Sequence, residues 1–323
     1  MLWLLLLLGI LLLLAGGTSL VRGATGIAEA YGIPPLVVGL TVVAFGTSAP
    51  ELVVNLVGAV RGQTELAFGN IAGSNIANLA LVLGTAAVIT PIAIEGQIIK
   101  REIPLLMLAT ATLLLLTLDP LLRQVEGPLL DRSDALVLLL LFGIFIYITV
   151  MDFAGKDNDA LLDEMAAHPI SIPTSKRNDW LFVLAGIVAL AIGGEFTIRY
   201  GSELALALGM TPAIIGMVIV AVGTSMPELV TSIIAAIRKE ADLCVGNVIG
   251  SNIFNSLMVL PLSALVRPLE VPHLGSLDIF VSLLLTMALV LIFFFGKTIM
   301  NRNIGFTFLA IYFGYITARV VTG

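Results

Sequence analysis

One long stretch of this chain is written twice. Residues 39–84 and 216–261 align without a gap at an offset of 177, with 22 identical residues in 46. The match runs upstream as well: Gly16 and Gly17 align with Gly193 and Gly194, Arg22 with Arg199, and Pro35 with Pro212. Self-similarity on this scale constrains a fold more than any local pattern, because both copies must be able to build the same unit. Ten apolar stretches run along the chain, at 2–30, 34–58, 66–89, 103–118, 134–151, 179–208, 212–236, 243–265, 276–295 and 303–320. Each is near the ~20 residues needed to cross a hydrocarbon core of ~30 Å. Each copy therefore holds five spans. Five is odd, so the second copy enters the membrane from the opposite face. The expected fold is an all-α polytopic membrane protein of ten transmembrane helices in two inverted five-helix repeats. The first repeat is 1–151, a linker loop is 152–178, and the second repeat is 179–323. Inverted repeats are a mark of many secondary transporters, with the binding site near the midplane where the repeats meet.

Composition agrees. Hydrophobic residues make up 59% and charged residues 12%, with a mean hydropathy of +1.09. Soluble domains carry roughly 25% charged residues. A soluble enzyme, a disordered chain and a nucleic-acid binder are excluded. The single Cys244 excludes a disulfide framework or a thiolate metal site. His168 and His273 are the only histidines and fall outside the spans, which excludes His-rich zinc chemistry. The apolar N-terminus lacks a basic leader region and reads as an uncleaved first span. With that terminus outside, the inner loops hold nine Lys and Arg (Lys100, Arg101, Lys156, Lys176, Arg177, Arg238, Lys239, Lys297, Arg302) and the outer side five (Arg61, Arg123, Arg132, Arg267, Arg319). The excess of basic residues belongs in the cytoplasm. This places both termini outside and the 152–178 loop inside, in an inner cell membrane. That loop is acidic, but an EF-hand starting at Asp157 would put Leu161 and Leu162 at a ligand and at the obligatory glycine. It reads as a solvated linker.

Two motifs recur within the repeat. The first is Gly46-Thr47-Ser48-Ala49-Pro50-Glu51, matched by Gly223-Thr224-Ser225-Met226-Pro227-Glu228, in the middle of the second and seventh spans. A proline there removes one helix hydrogen bond and obstructs another. Carbonyls upstream, such as those of Ala44 and Thr47, are then available to a ligand or an internal cavity but not to lipid. Glu51 and Glu228 are ionisable groups at mid-bilayer, where such residues are functional by default. The second motif is Gly69-Asn70-x-x-Gly73-Ser74-Asn75-x-x-Asn78, matched by Gly246-Asn247-x-x-Gly250-Ser251-Asn252-x-x-Asn255. Ser74 and Asn78 share a helix face, as do Ser251 and Asn255. Asn70, Asn75, Asn247 and Asn252 fit a cavity or plain helix packing equally well. Every candidate ligand atom is an oxygen, which suits hard cations such as Na⁺ and Ca²⁺. Two carboxylates carry −2. One Ca²⁺ cancels that charge, and more than two Na⁺ exceed it.

At these residues the chain resembles the sodium/calcium exchanger family of the cation/calcium exchanger superfamily, in its compact prokaryotic form. The likeness spans essentially the whole chain and rests on two copies each of GTS-x-PE and GN-x-x-GSN. It implies ten helices in two inverted halves and Na⁺-driven Ca²⁺ extrusion by alternating access, in the lipid bilayer and without a cofactor. By position it implies Glu51 and Glu228 as shared Ca²⁺ and Na⁺ ligands. It implies Thr47, Thr224, Ser48, Ser225, Ser74 and Ser251 as further ligands, Asn78 beside the central site, and the carbonyls of Ala44 and Ala221 as backbone ligands.

The chain departs from some relatives at Asn255, where they carry Asp, among them potassium-dependent exchangers. An amide there argues against K⁺ co-transport and leaves two glutamates as the central charges. Gly73-Ser74 and Gly250-Ser251 stand where proton/calcium relatives usually carry an acidic residue, which favours sodium coupling. Glu195 aligns with Thr18, so the repeat does not duplicate it, and it reads as structural or vestibular. The rival readings are a proton- or potassium-coupled exchanger and, more distantly, a cation channel. An intramembrane enzyme lacks both a His-Glu-x-x-His zinc motif and a buried base beside Ser48 or Ser225.

Overall fold

The computed structural model describes residues 2–93, 101–118, 127–155, 176–207, 221–295 and 299–322. Ten helices run through these residues. They are α1 (Leu2–Tyr31), α2 (Pro35–Val60), α3 (Thr64–Ile89), α4 (Ile103–Leu116), α5 (Arg132–Gly155), α6 (Lys176–Ala207), α7 (Met226–Ile237, after a single turn at Ala221–Thr224), α8 (Ala241–Val266), α9 (Gly275–Phe295) and α10 (Arg302–Thr322). Seven of them, α1, α2, α3, α5, α6, α8 and α9, are long and apolar enough to cross a bilayer as they stand. The fold is the all-α membrane protein expected, with ten helices in two inverted five-helix repeats. Most of the 152–178 linker, and the start of the seventh span, lie outside the described residues.

The inversion is visible in small details. Two short antiparallel pairs of strands tie the halves together: β1 (Ile92–Ala93), β2 (Leu129–Leu130), β3 (Leu269–Glu270) and β4 (Ile299–Met300). β1, between α3 and α4, pairs with β4, between α9 and α10. β3, between α8 and α9, pairs with β2, between α4 and α5. Exchanging the halves turns one pairing into the other. Trp3 and Trp180, also 177 apart, are both exposed near the starts of α1 and α6, where an aromatic ring anchors a helix at the headgroup level. The α2–α3 and α7–α8 turns are copies too. Gln63 N–H donates to Gly58 O and Glu240 N–H to Ala235 O, both at 2.9 Å. The residue at the corner is left-handed in each, Gly62 at φ +78° and Lys239 at φ +65°. Glycine takes that conformation freely and lysine does not.

Close glycine contacts set the packing. α1 and α6 run antiparallel, Gly9 against Phe196 and Thr197, Gly16 against Gly186 and Leu190, and Gly23 against Asp179 and Val183. A Cβ on Gly16 would stand 2.8 Å from Leu190 N, so only glycine lets the two backbones approach this far. α3 and α8 form the centre: 78% and 83% of their most apolar windows are buried, against 33% in α1 and 28% in α6. Gly246 and Gly250 of α8 pass directly over α2, where an added Cβ would lie 2.8 Å from Leu36 O and Leu40 O respectively. This crossing brings the second motif of one half against the first motif of the other.

Candidate functional site

Thr47, Ser48 and Glu51 of α2, Ser74 and Asn78 of α3, Ser225 and Glu228 at the head of α7, and Ser251 and Asn255 of α8 are all buried. Thr224 is half-buried. Hydrogen bonds between the halves join several of these residues. Ser48 Oγ, one turn before Glu51, donates to Glu228 Oε1 at 3.2 Å. Thr47 Oγ1 lies 3.1 Å from Asn247 Oδ1 and 3.3 Å from Ser251 Oγ. Asn78 Nδ2 donates to Asn252 Oδ1 at 3.0 Å. These bonds join Thr47, Ser48 and Glu228 with Asn247 and Ser251, and Asn78 with Asn252, while Glu51, Ser74, Ser225 and Asn255 are buried on the same helices without a bond to them.

The atoms left over matter as much as the bonds. Among the described residues, Glu51 Oε1 and Oε2, Glu228 Oε2, Ser74 Oγ, Ser225 Oγ, Asn78 Oδ1 and both amide atoms of Asn255 are buried without a hydrogen-bond partner. A buried polar group without a partner costs about 1–3 kcal/mol, and an ionised one more. Native proteins leave few such groups, and each calls for an explanation. A concentration of unshared oxygen lone pairs at two carboxylates is what a hard cation needs in place of its hydration shell. Among the described residues no three His, Cys, Asp or Glu side chains come together. The charge of the cluster is set by the two glutamates.

The helices around the cluster depart from plain α geometry. α3 and α8 each contain a π-turn at the same repeat position, Ala77–Val82 and Asn255–Val259. Leu83 N–H reaches Asn78 O, and Leu260 N–H reaches Asn255 O, each five residues back. Such turns are frequent at functional sites. They carry the two asparagines predicted to line the site, but nothing in the sequence reading pointed to them. α2 has a third, at Gly39–Val43. The two prolines behave differently. Pro50 lies inside a continuous helix, Ala44–Val60. Ala44 O is approached by Thr47 Oγ1 of its own helix at 3.3 Å. In the second half the helix is interrupted at Ser225, with φ −90° and ψ +10°, and Pro227 falls in the first turn of α7, where its missing N–H costs nothing. Ala221 begins the turn before that break.

The four undecided asparagines separate by partner. Asn70 braces α3 to α2 by donating to Asn55 Oδ1 at 2.9 Å, and Asn247 braces α8 to α7 by donating to Ser232 Oγ at 2.9 Å. Asn247 also accepts from Thr47 of the other half, and Asn75 and Asn252 join the halves as well. Asn75 Nδ2 donates to Ser256 Oγ at 2.8 Å, and Asn252 Nδ2 to Asn75 O at 3.1 Å. Asn55, Ser232 and Ser256 were not singled out from the sequence. Glu195 lies outside the cluster, exposed on α6.

A family profile described as sodium/calcium exchanger protein matches residues 1–151 and 178–321. The inner membrane protein YrbG of Escherichia coli (strain K12) is 33% identical over 93% of this chain and 91% of its own. The sodium/calcium exchanger MaX1 of Methanosarcina acetivorans is 29% identical over 90% of each. Among solved structures, the sodium-calcium exchanger NCX_Mj soaked with 100 mM Na⁺ and 10 mM Sr²⁺ superposes with a TM-score of 0.82 at 30% identity, covering 98% of this chain and 99% of that one.

Proposed function

The chain belongs to the sodium/calcium exchanger protein family, multi-pass membrane antiporters and not enzymes, and we propose from that premise that it exchanges Na⁺ for Ca²⁺ by alternating access. Na⁺ and Ca²⁺ are its substrates, and no cofactor takes part. One observation carries the reading: a buried pair of carboxylates, one from each half, with three of their four oxygens unpartnered among the described residues. Ca²⁺ would be held by Glu51 and Glu228 together. Thr47, Thr224, Ser48, Ser225, Ser74 and Ser251, the carbonyls of Ala44 and Ala221, and the amides of Asn78 and Asn255 complete the oxygen set for Ca²⁺ or for several Na⁺. The same carboxylates serve both ions, so the ions compete and exchange.

Charge sets the energetics. A Ca²⁺-loaded pair of glutamates is neutral, and a pair loaded with more than two Na⁺ is positive. The Na⁺-loaded step then moves net charge. An inside-negative membrane potential drives Na⁺ in and Ca²⁺ out, worth about 2.3 kcal/mol per charge per 100 mV. Two repeat domains, 1–151 and 179–323, a cytoplasmic linker at 152–178 and both termini outside an inner cell membrane complete the arrangement. The excess of basic residues on the inner loops supports this orientation.

The test is ⁴⁵Ca²⁺ uptake into proteoliposomes under imposed Na⁺, K⁺ or H⁺ gradients, with the potential clamped by valinomycin. Uptake is expected to require an outward Na⁺ gradient and to rise with an inside-positive potential. Uptake driven by H⁺ alone, or absent without K⁺ as a co-substrate, would replace this reading with the proton- or potassium-coupled one. Voltage-independent flux would make the exchange electroneutral.

A further inference from the structure

Thr231 lies on α7 three residues after Glu228 and so shares its helix face. It is 1% exposed, and among the described residues its Oγ1 has no hydrogen-bond partner. This is unusual within the molecule itself. A threonine inside a helix commonly returns its hydroxyl to the carbonyl four residues back. Thr41, Thr110, Thr149 and Thr286 all do so, at 2.6–2.9 Å. The adjacent Ser232 is accounted for, because it accepts from Asn247 Nδ2. Packing does not demand a hydroxyl at position 231. The residue 177 positions earlier is Val54, which has nearly the same shape. A buried, unshared hydroxyl in place of valine costs stability, so it calls for a use.

Its location suggests one. Thr231 is about 4.5 Å further along α7 than Glu228, at 1.5 Å rise per residue, towards the helix end at Ile237. α1 covers it at this level: a Cβ on Gly17 would stand 3.6 Å from Thr231 Cα, 3.0 Å from Val230 Cγ1 and 2.9 Å from Ile234 Cδ1. On α2 the matching position, Val54, is exposed and apolar. We propose that Thr231 is a transit ligand: its hydroxyl receives a hard cation leaving Glu228 for the membrane face at the C-terminal end of α7, with no equivalent on the route past Val54. The inference rests on the reading that Glu228 holds the transported ions. It makes the two routes chemically unequal.

The test compares wild type, Thr231→Val and Thr231→Ser in proteoliposomes of sorted orientation. The Ca²⁺ concentration for half-maximal Na⁺-dependent flux is measured from each face, beside equilibrium ⁴⁵Ca²⁺ binding to the purified protein. Thr231→Val is expected to raise that concentration several-fold at the α7 C-terminal face only, with equilibrium binding unchanged and Thr231→Ser close to wild type. Thr231→Ala makes the same comparison if the valine variant fails to fold. No shift, or an equal shift at both faces, overturns the transit ligand. A wild type without Na⁺-dependent Ca²⁺ flux overturns the exchange reading itself, which keeps the two failures apart.

Discussion

The two halves agree where α3 and α8 form the centre and disagree where α1 and α6 cover α2 and α7. In α3 and α8 the π-turns fall at the same repeat position, and the asparagines that open them are equally buried. In the outer layer, Gly17 of α1 sits on Val230 and Ile234 of α7. The matching residues of α2, Val53 and Val57, are 60% and 42% exposed. α2 runs unbroken through Pro50, while its counterpart is interrupted at Ser225. A sequence written twice can place either half in either arrangement. On the alternating-access reading proposed above, the asymmetry is one of two related states, in which the route past α7 is covered and the route past α2 is not. On that reading the symmetric centre is the frame, and the asymmetric layer is what exchanges.

The largest expected effect tests the frame. Glu51→Gln and Glu228→Gln should each lower Na⁺-dependent Ca²⁺ flux roughly 100-fold or more, since a factor of that size is only about 2.8 kcal/mol of lost ion binding. Near-normal flux from either folded variant would remove that residue from the site and break the equivalence of the halves.

The outer layer is tested next by cross-linking. In a Cys244→Ala background, Gly17→Cys with Ile234→Cys should cross-link in the state described and block most of the flux until reduced. The mirror pair, Gly194→Cys with Val57→Cys, should cross-link only as the alternate state is populated, and more readily when the ion gradient is reversed. Equal cross-linking of both pairs under all conditions would mean the asymmetry is not a state.

Smaller effects probe the seam between the halves. Asn75→Ala removes the donor to Ser256 Oγ and should cost about 1–3 kcal/mol of stability, read as a lower melting temperature in detergent. Asn255→Asp would add a third carboxylate to a site built on two. It should change flux a few-fold and introduce a dependence on pH or on an extra monovalent cation, while the wild type needs no K⁺. Superimposable flux curves for wild type and Asn255→Asp would take residue 255 out of the site. Smallest of all, Lys239→Gly should stabilise the α7–α8 turn by about 0.5–1 kcal/mol, because glycine accepts the left-handed corner that Gly62 already occupies in the first half.

Much of this was legible in the sequence because the repeat does work that local patterns cannot. The offset of 177 and an odd number of spans fixed the inversion, and the exchange of loop pairings between β1–β4 and β2–β3 follows from it. The doubled motifs singled out the glutamates, the hydroxyls, Asn78 and Asn255 as candidates. Three things stayed hidden. The π-turns use residues that an ordinary helix would accept equally well, so no residue type marks them. The identical amides of Asn70 and Asn75 part only through the helix each one faces, which depends on the crossing of α2 and α8 at Gly246 and Gly250. The interruption at Ser225, against a continuous α2, falls within the same Gly-Thr-Ser-x-Pro-Glu motif, so the motif residues do not mark it.

Competition between the two ions at the shared carboxylates tests the central claim most directly. Equilibrium ⁴⁵Ca²⁺ binding to the purified protein, titrated with Na⁺, should show complete displacement with a dependence steeper than one Na⁺ per Ca²⁺. Either Glu51→Gln or Glu228→Gln should abolish the bound Ca²⁺. Ca²⁺ that stays bound at saturating Na⁺, or a single-glutamine variant that binds Ca²⁺ like the wild type, would contradict one site shared between the inverted halves.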